Sequence, residues 1–209
     1  MKIAVLNSKG KETGREVTLP KGIFAVEPNE HALYLDVKQY LANQRQGTHK
    51  AKERADITGS TRKIKKQKGT GTARAGSIKS GVFRGGGRIF GPRPRDYDVR
   101  LNKKLKKLAR KSALSLKAKD KAITVVEDFD FKTPKTKKFI DVLKALNIED
   151  KKSLIVFGAP NNNVYLSSRN FKGSEVVTSS EISTYKILNA KQLVISESSL
   201  LSINENLSK

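Results

Sequence analysis

A stretch near the middle of the chain cannot form a hydrophobic core of its own. Residues 45–95 contain ten of the fifteen glycines and only seven large apolar side chains. Ordering one backbone residue costs about 1–2 kcal/mol, whereas fully burying a large apolar side chain stabilises by about 1.5–3 kcal/mol. Seven such side chains cannot offset the ordering of 51 residues. We therefore expect this stretch to be disordered alone and to be ordered by a partner.

The positive charge of the chain is concentrated around the same stretch. The 209 residues carry 43 Lys and Arg against 20 Asp and Glu, which gives a net charge of +23. Residues 45–121 hold 25 of the basic residues and only five of the acidic ones, while both flanks are nearly neutral. Because such a concentration of charge is typical of proteins that bind polyanions, an ordinary metabolic enzyme is a poor match.

Rare residue types exclude several chemistries. The chain has no Cys, which excludes disulfides, thiolate metal sites and cysteine nucleophiles and favours an intracellular protein. Its two histidines, His31 and His49, lack metal-ligand spacing. No run reaches the roughly 20 apolar residues of a membrane span, and the N-terminal apolar run is too short for a signal peptide. We therefore predict no metal, no cofactor, no membrane association and a cytoplasmic location.

Motifs that could indicate an enzyme are weak. Gly69-Thr70-Gly71 resembles the start of a dinucleotide fingerprint, but Arg74 stands where the third glycine belongs, and the run lies inside the basic stretch. Glu127-Asp128-Phe129-Asp130 follows a predicted strand without a catalytic partner at recognisable spacing. We interpret it as a solvated loop. The sequence therefore predicts no catalytic residues and no small-molecule substrate.

The flanks alternate between strand-like and helix-like patterns. Strands are predicted at Lys2–Leu6, Glu16–Leu19, Ile123–Val126, Leu154–Phe157, Glu175–Thr178 and Gln192–Ile195. Helices are predicted from Asn29 to Gln44, after Asn102, from a first turn at Thr133-Pro134, over Asn161–Arg169, near Ser183–Leu188 and after Ser196. Such alternation predicts one globular α/β domain whose mostly parallel sheet is covered by helices. We assign residues 1–44 and 97–209 to that domain, and residues 45–96 to an extended basic loop inserted between its first two helices.

The basic loop has features that suit a folded RNA. Cations recur every two to four residues, and an out-and-back loop of this length reaches up to about 80 Å, which suggests penetration of a large RNA. The predicted phosphate-binding residues are Arg45, Lys50, Arg62, Lys63, Lys66, Lys68, Arg74, Lys79, Arg84, Arg88, Arg93 and Arg95. Glycines without Cβ bulk allow close backbone approach to RNA at Gly69, Gly71, Gly85, Gly86 and Gly87. Phenylalanine and arginine planes offer stacking surfaces for unpaired bases.

The helix after Asn102 adds a second basic surface. Lys103, Lys104 and Lys107 lie beside its apolar stripe, so that one face packs on the core and the other faces a polyanion. A merely solvated basic face is the alternative for this helix.

Motifs along the loop resemble a known family. Arg45-Gln46-Gly47-Thr48, Gln67–Arg74, Gly76–Ser80, Arg84–Gly87 and Phe90–Tyr97 resemble, in order, the pattern of large-subunit ribosomal proteins of the universal L-four family, bacterial type. Asn102-Lys103-Lys104 and Ser112-Ala113-Leu114 extend the resemblance over nearly the whole chain. The chain departs from the family at Ile64-Lys65, where Pro-Trp is usual.

The resemblance implies a structural role in the large ribosomal subunit. The globular domain would lie on the solvent side, and the loop would thread through large-subunit rRNA to the wall of the nascent-peptide exit tunnel. The loop tip would comprise Lys65, Gln67, Lys68, Gly69, Thr70 and Gly71. Family members bind rRNA early in assembly, contact other large-subunit proteins rather than forming independent homo-oligomers, and in some cases repress their own operon.

Two other functions remain open from the residues alone. An RNA-modifying enzyme, methyltransferase-like with a basic guide loop, would need a glycine-rich turn after an early strand and an acidic ribose ligand, and the sequence shows neither. A DNA-compacting protein would bind duplex DNA and folded rRNA with similar affinity. The leading interpretation is a structural rRNA-binding protein that is not an enzyme.

Overall fold

A computed structural model describes residues 1–208. It divides them into two compact units, one formed by residues 1–41 and 100–208 and the other by residues 42–99. We call the second unit the arm. The first unit contains the sheet and the helices, apart from the last two residues of one helix, which extend into the arm.

The first unit is built around a six-stranded mixed sheet. Its strands are β1 (Lys2–Leu6), β2 (Glu12–Thr18), β3 (Ile123–Val126), β4 (Ser153–Phe157), β5 (Ser174–Thr178) and β6 (Gln192–Ser196). The strand order is β2-β1-β3-β6-β4-β5, and only the β1–β2 pair is antiparallel. The prediction of an α/β domain with a mostly parallel sheet is therefore confirmed.

Seven helices accompany the strands: α1 (Lys21–Phe24), α2 (Glu30–Asn43), α3 (Lys103–Lys119), α4 (Thr136–Ala145), α5 (Asn162–Ser168), α6 (Thr184–Asn189) and α7 (Glu197–Ser208). Side-chain oxygens cap four of them, at the predicted caps Asn29 and Ser196 and also at Asn161 and Ser183: Asn29 Oδ1 accepts from Ala32 N at 2.9 Å, Asn161 Oδ1 from Val164 N at 3.1 Å, Ser183 Oγ from Lys186 N at 3.3 Å and Ser196 Oγ from Ser199 N at 3.3 Å. Each cap satisfies a backbone donor that has no partner within its own helix.

Three local predictions are wrong. The one-turn helix α1 was not expected, so the arm lies between the second and third helices rather than the first two. Strand β2 begins at Glu12, four residues before the predicted start. Its backbone pairs with β1 over this length, and backbone pairing does not require the exposed side chains of β2 to be apolar. Helix α4 begins at Thr136, after Pro134, and Lys135 holds the N-cap position instead of Thr133.

Side chains alternate between two cores on opposite faces of the sheet. Val125, Val156 and Ile195 pack in a cluster with buried residues of α1, α2, α3, α6 and α7. Their neighbours Val126, Ile155 and Val194 pack in a second cluster with α4 and α5. A sheet covered on both faces explains why these strands are apolar throughout instead of alternating with polar residues.

Buried serines fix α3 within this unit. Ser115 Oγ accepts a hydrogen bond from Val26 N at 3.0 Å and donates one to Ile23 O at 3.0 Å. Ser112 Oγ accepts from Asn29 N at 3.1 Å. These hydroxyls satisfy the backbone between α1 and α2, where no regular secondary structure can do so.

Candidate nucleic-acid interface

The arm consists of two antiparallel limbs. Hydrogen bonds connect the limbs at intervals, from Arg95 N to Gly47 O (3.2 Å), Ala51 N to Pro92 O (3.1 Å), Arg88 N to Lys52 O (2.9 Å), Ser77 Oγ to Ser60 O (3.0 Å) and Ile64 N to Gly76 O (3.0 Å). These bonds are too sparse to form a ladder, and residues 44–102 contain neither helix nor strand. The shape of the arm therefore depends on isolated crossing points.

The arm has no apolar core. Within residues 42–99, all of which the structure describes, only Ser77 and Gly87 are buried. The large apolar residues Ile64, Ile78, Val82, Ile89 and Phe90 are exposed. Because burial of apolar area is the main stabilising contribution to folding, the arm has little to hold it in one conformation. Its disorder in the absence of a partner stays a prediction.

An aromatic residue organises the base of the arm. The guanidinium carbon of Arg45 lies 3.8 Å from the centre of the Tyr97 ring, and that of Arg95 lies 4.7 Å from it. A hydrogen bond from Arg95 and the positive charges of Arg45 and Arg95 lower the pKa of the Tyr97 phenol. Asn43 pairs with the backbone of Val99, accepting from its N at 3.0 Å. Two predicted phosphate ligands, Arg45 and Arg95, thus also stabilise the base through cation–π contacts.

Two other predicted phosphate ligands have carboxylate partners. Arg93 Nε lies 2.6 Å from Glu53 Oε1, and Lys50 Nζ lies 3.0 Å from Asp56 Oδ2. The hydrogen bond from Lys50 lowers the pKa of the Asp56 carboxyl, so this side chain is ionised at neutral pH. To bind a phosphate, Lys50 must either leave Asp56 or contact both groups at once, and Arg93 must do the same with Glu53.

Beyond these pairs the arm is uniformly positive. Residues 57–95 contain eleven Lys and Arg and no Asp or Glu. Among the residues that the structure describes, only Arg93 of these eleven is in a salt bridge. The other ten are Arg62, Lys63, Lys65, Lys66, Lys68, Arg74, Lys79, Arg84, Arg88 and Arg95. These like charges repel one another, so an external polyanion would stabilise this surface.

Side-chain hydrogen bonds before and across the turn define the end of the arm. Lys65 Nζ hydrogen bonds to Thr72 Oγ1, and Lys63 Nζ hydrogen bonds to Gln67 Oε1. Residues 66–71 therefore form the closing turn, and the structure brings Lys65, Gln67, Lys68, Gly69, Thr70 and Gly71 together there. Gly69 and Gly71 adopt φ values of +80° and +61°, and a Cβ at either position would meet no atom within 4 Å.

The remaining predicted glycines fall into two groups. Gly85 has a φ of +82° and open space around it, as at the closing turn. A Cβ on Gly86 would lie 1.8 Å from Ser80 O, and one on Gly87 would lie 2.3 Å from Arg54 N. Glycine at 86 and 87 is thus required by the arm's own backbone, a role the sequence did not indicate, and their approach to RNA stays a prediction.

Helix α3 carries the predicted lysines of the first unit. Lys103 and Lys104 are exposed, and Lys107 is half-buried. None of the three is in a salt bridge within the described part of the chain. Lys52 and Arg54 of the arm are not among the predicted phosphate-binding residues, although their spacing matches that of the residues that are.

The acidic loop after β3 has a structural role. Asp128 Oδ1 accepts from Ser198 Oγ at 2.6 Å, and its Oδ2 accepts from Ser198 N at 3.2 Å. Arg15 bridges Glu127 at 3.6 Å and Glu197 at 3.0 Å. These carboxylates therefore anchor the start of α7. Among residues 1–208 there is no group of three His, Cys, Asp or Glu that could hold a metal, and no helix is long and apolar enough to cross a membrane.

Comparisons with known proteins agree with the character of the arm. A family model described as the ribosomal protein L4/L1 family matches residues 17–206. The chain is 74% identical over 208 residues to a protein of Christiangramia forsetii and 68% identical over 209 residues to one of Flavobacterium johnsoniae, with full coverage of both chains in each case. It is 60% identical over 206 residues to a protein of Parabacteroides distasonis, covering 99% of each. All three relatives are named large ribosomal subunit protein uL4.

Proposed function

The chain belongs to the ribosomal protein L4/L1 family and is a structural protein of the large ribosomal subunit, not an enzyme; from that premise, we propose that its arm binds large-subunit rRNA. The observation that carries this proposal is the run of eleven cations without a carboxylate over residues 57–95. Ten of them have no ion-pair partner in the described chain. Phosphates spaced along a folded RNA would supply the missing partners.

Binding would combine charge neutralisation with ordering of the arm. An arm without a core gains its shape from contacts that RNA provides, so part of the binding free energy is spent on restricting the backbone. Open glycines at 69, 71 and 85 would let the main chain donate N–H groups to phosphates. The two limbs are held together by the hydrogen bond from Arg95 N to Gly47 O and by the close approach of Gly87 to Arg54. These contacts reduce the conformational entropy that the arm would lose on binding RNA.

Finer aspects of the role extend this proposal. The closing turn at residues 66–71, with Lys65, would line part of the nascent-peptide exit tunnel. The protein would bind large-subunit (23S-type) rRNA early in assembly and contact other large-subunit proteins in the cytoplasm rather than form an independent homo-oligomer. It would also repress its own operon by binding the leader RNA. Full-length similarity to proteins named uL4 supports these assignments.

The test is crosslinking of purified protein to total cellular RNA, with crosslinked positions sequenced on both partners. We expect crosslinks from residues 45–96, and from Lys103, Lys104 and Lys107, to large-subunit rRNA. Duplex DNA added as a competitor should remove few of them. Crosslinks spread evenly over all RNA species, or lost equally to duplex DNA, would instead indicate a general polyanion binder. Crosslinks from the first unit alone would contradict the role of the arm.

A further inference from the structure

Phe90 is exposed in a way that the fold of the arm does not explain. All eight phenylalanines lie in the described chain, and only Phe90 is exposed, at 96% of its surface. The ring takes part in no aromatic contact with another residue. A large apolar side chain fully in water is stabilised by any partner that covers it.

The backbone around Phe90 forms a bulge between two fixed points. Arg88 N donates to Lys52 O at 2.9 Å, and Ala51 N donates to Pro92 O at 3.1 Å. Adjacent residues 51 and 52 of one limb therefore face residues 88 and 92 of the other. Residues 89–91 are therefore three extra residues between these two hydrogen bonds, and exposed Phe90 is at their centre. We call residues 89–91 the Phe90 bulge.

Close approach of the limbs fixes the bulge at both ends. A Cβ on Gly91 would lie 2.5 Å from the Cβ of Ala51, and one on Gly87 would lie 2.3 Å from Arg54 N. Just beyond the bulge, Arg93 pairs with Glu53 at 2.6 Å. Only glycine allows the limbs to come this close. In this conformation of the arm, the backbone on both sides of Phe90 is therefore constrained while the ring itself stays open to a partner.

We propose that the Phe90 bulge is a stacking platform for an unpaired base of the bound RNA. This inference rests on the proposed function and adds a specific contact to it. A flat aromatic ring offers a base its face, and stacking of this kind is insensitive to the base's identity. The surroundings favour a nucleic acid over an apolar protein segment, because Arg84 and Arg88 lie close in sequence and residues 57–95 include no carboxylate. Arg88 would bind the phosphate next to the stacked base.

Three substitutions at one position separate stacking from general apolar contact. Binding to a transcript of the large-subunit rRNA is measured for the full chain and for Phe90→Ala, Phe90→Leu and Phe90→Trp. Loss of a stacked base weakens binding about 5- to 150-fold. We expect that loss for Ala and Leu, near wild-type affinity for Trp, and the same salt dependence throughout, since no charge changes. Because the ring is exposed, all variants should keep the wild-type thermal unfolding midpoint.

Fluorescence gives an independent measurement, because the chain contains no tryptophan. In Phe90→Trp the single indole should be quenched and shielded from acrylamide when the transcript binds. The matched control is Val82→Trp, which places an indole at a site 86% exposed but outside the bulge. We expect much weaker quenching for the control.

Each outcome has a defined meaning. Wild-type affinity for Phe90→Ala overturns the stacking platform while leaving RNA binding intact. Equal affinity of the Leu and Trp variants would show an apolar contact without stacking. Equal quenching at positions 82 and 90 would show that RNA does not contact the Phe90 bulge more closely than the rest of the arm. If the wild-type chain itself fails to bind the transcript, the proposed function fails instead.

Discussion

Removing three arm cations should change the salt dependence of rRNA binding by a defined amount. Each phosphate neutralised by the protein contributes about 0.7 to 0.9 to the slope of log affinity against log salt. Ten cations of residues 57–95 have no ion-pair partner, so a wild-type slope of about −7 to −9 is expected if all of them bind phosphates. The triple substitution Arg74→Gln, Arg84→Gln and Arg88→Gln should make that slope shallower by about 2 to 3.

Filter binding of the transcript over a series of KCl concentrations measures this slope. The control replaces three exposed lysines of the first unit, Lys137, Lys138 and Lys151, with Gln, which alters the net charge equally. We expect the control to keep the wild-type slope. A shared reduction in both triple variants would show that total charge, and not the arm, governs binding. A wild-type slope near −2 would show that the arm is not the electrostatic anchor.

Further predictions concern the arm and the first unit separately. Trypsin should cut the free protein within residues 50–95 and spare the rest, and the rRNA transcript should protect the arm; resistance of the free arm would contradict its lack of a core. Ser115→Ala leaves Val26 N without its partner and should cost about 1–3 kcal/mol of stability in urea unfolding, whereas an unchanged midpoint would mean that water replaces the hydroxyl. In an ultraviolet absorbance titration, Tyr97→Phe should remove a tyrosine whose proton is lost below the usual tyrosine range, because a hydrogen bond from Arg95 and neighbouring guanidinium charges lower the pKa of Tyr97; an amplitude lost only within the usual range would refute that arrangement.

The first unit could be predicted well because its information is local and periodic. Apolar runs such as Leu154–Phe157 indicate strands buried on both faces, and Asn29 and Ser196 mark helix starts by their capping oxygens. The errors fall where long-range contacts decide the outcome. Strand β2 is polar, and its length depends on pairing with β1. Helix α1 has only four residues, too few for a helical repeat of apolar residues to be recognised.

The functional residues of the arm could be predicted only by type. Spacing of Lys and Arg indicates a phosphate-binding segment, but it does not distinguish Arg93, which pairs with Glu53, from Arg84, which has no described ion-pair partner. The cross-limb hydrogen bonds join residues from 12 positions apart (Ile64 and Gly76) to 48 positions apart (Gly47 and Arg95), and the stack joins Arg45 to Tyr97, 52 positions away; no repeating pattern in the sequence marks these pairs. The sequence predicts that Gly86 and Gly87 approach RNA, because nothing in it shows that the backbone of Ser80 and Arg54 lies beside them.

The distribution of acidic residues distinguishes the base of the arm from its end. All four carboxylates of the arm, Glu53, Asp56, Asp96 and Asp98, flank the cation-only run at residues 57–95. The base therefore stabilises itself through the Lys50–Asp56 and Glu53–Arg93 pairs and the ring of Tyr97. Towards the closing turn no internal anion balances the cations, so their mutual repulsion opposes compaction of this end. Under the proposed function, rRNA phosphates would remove this repulsion and order the end of the arm.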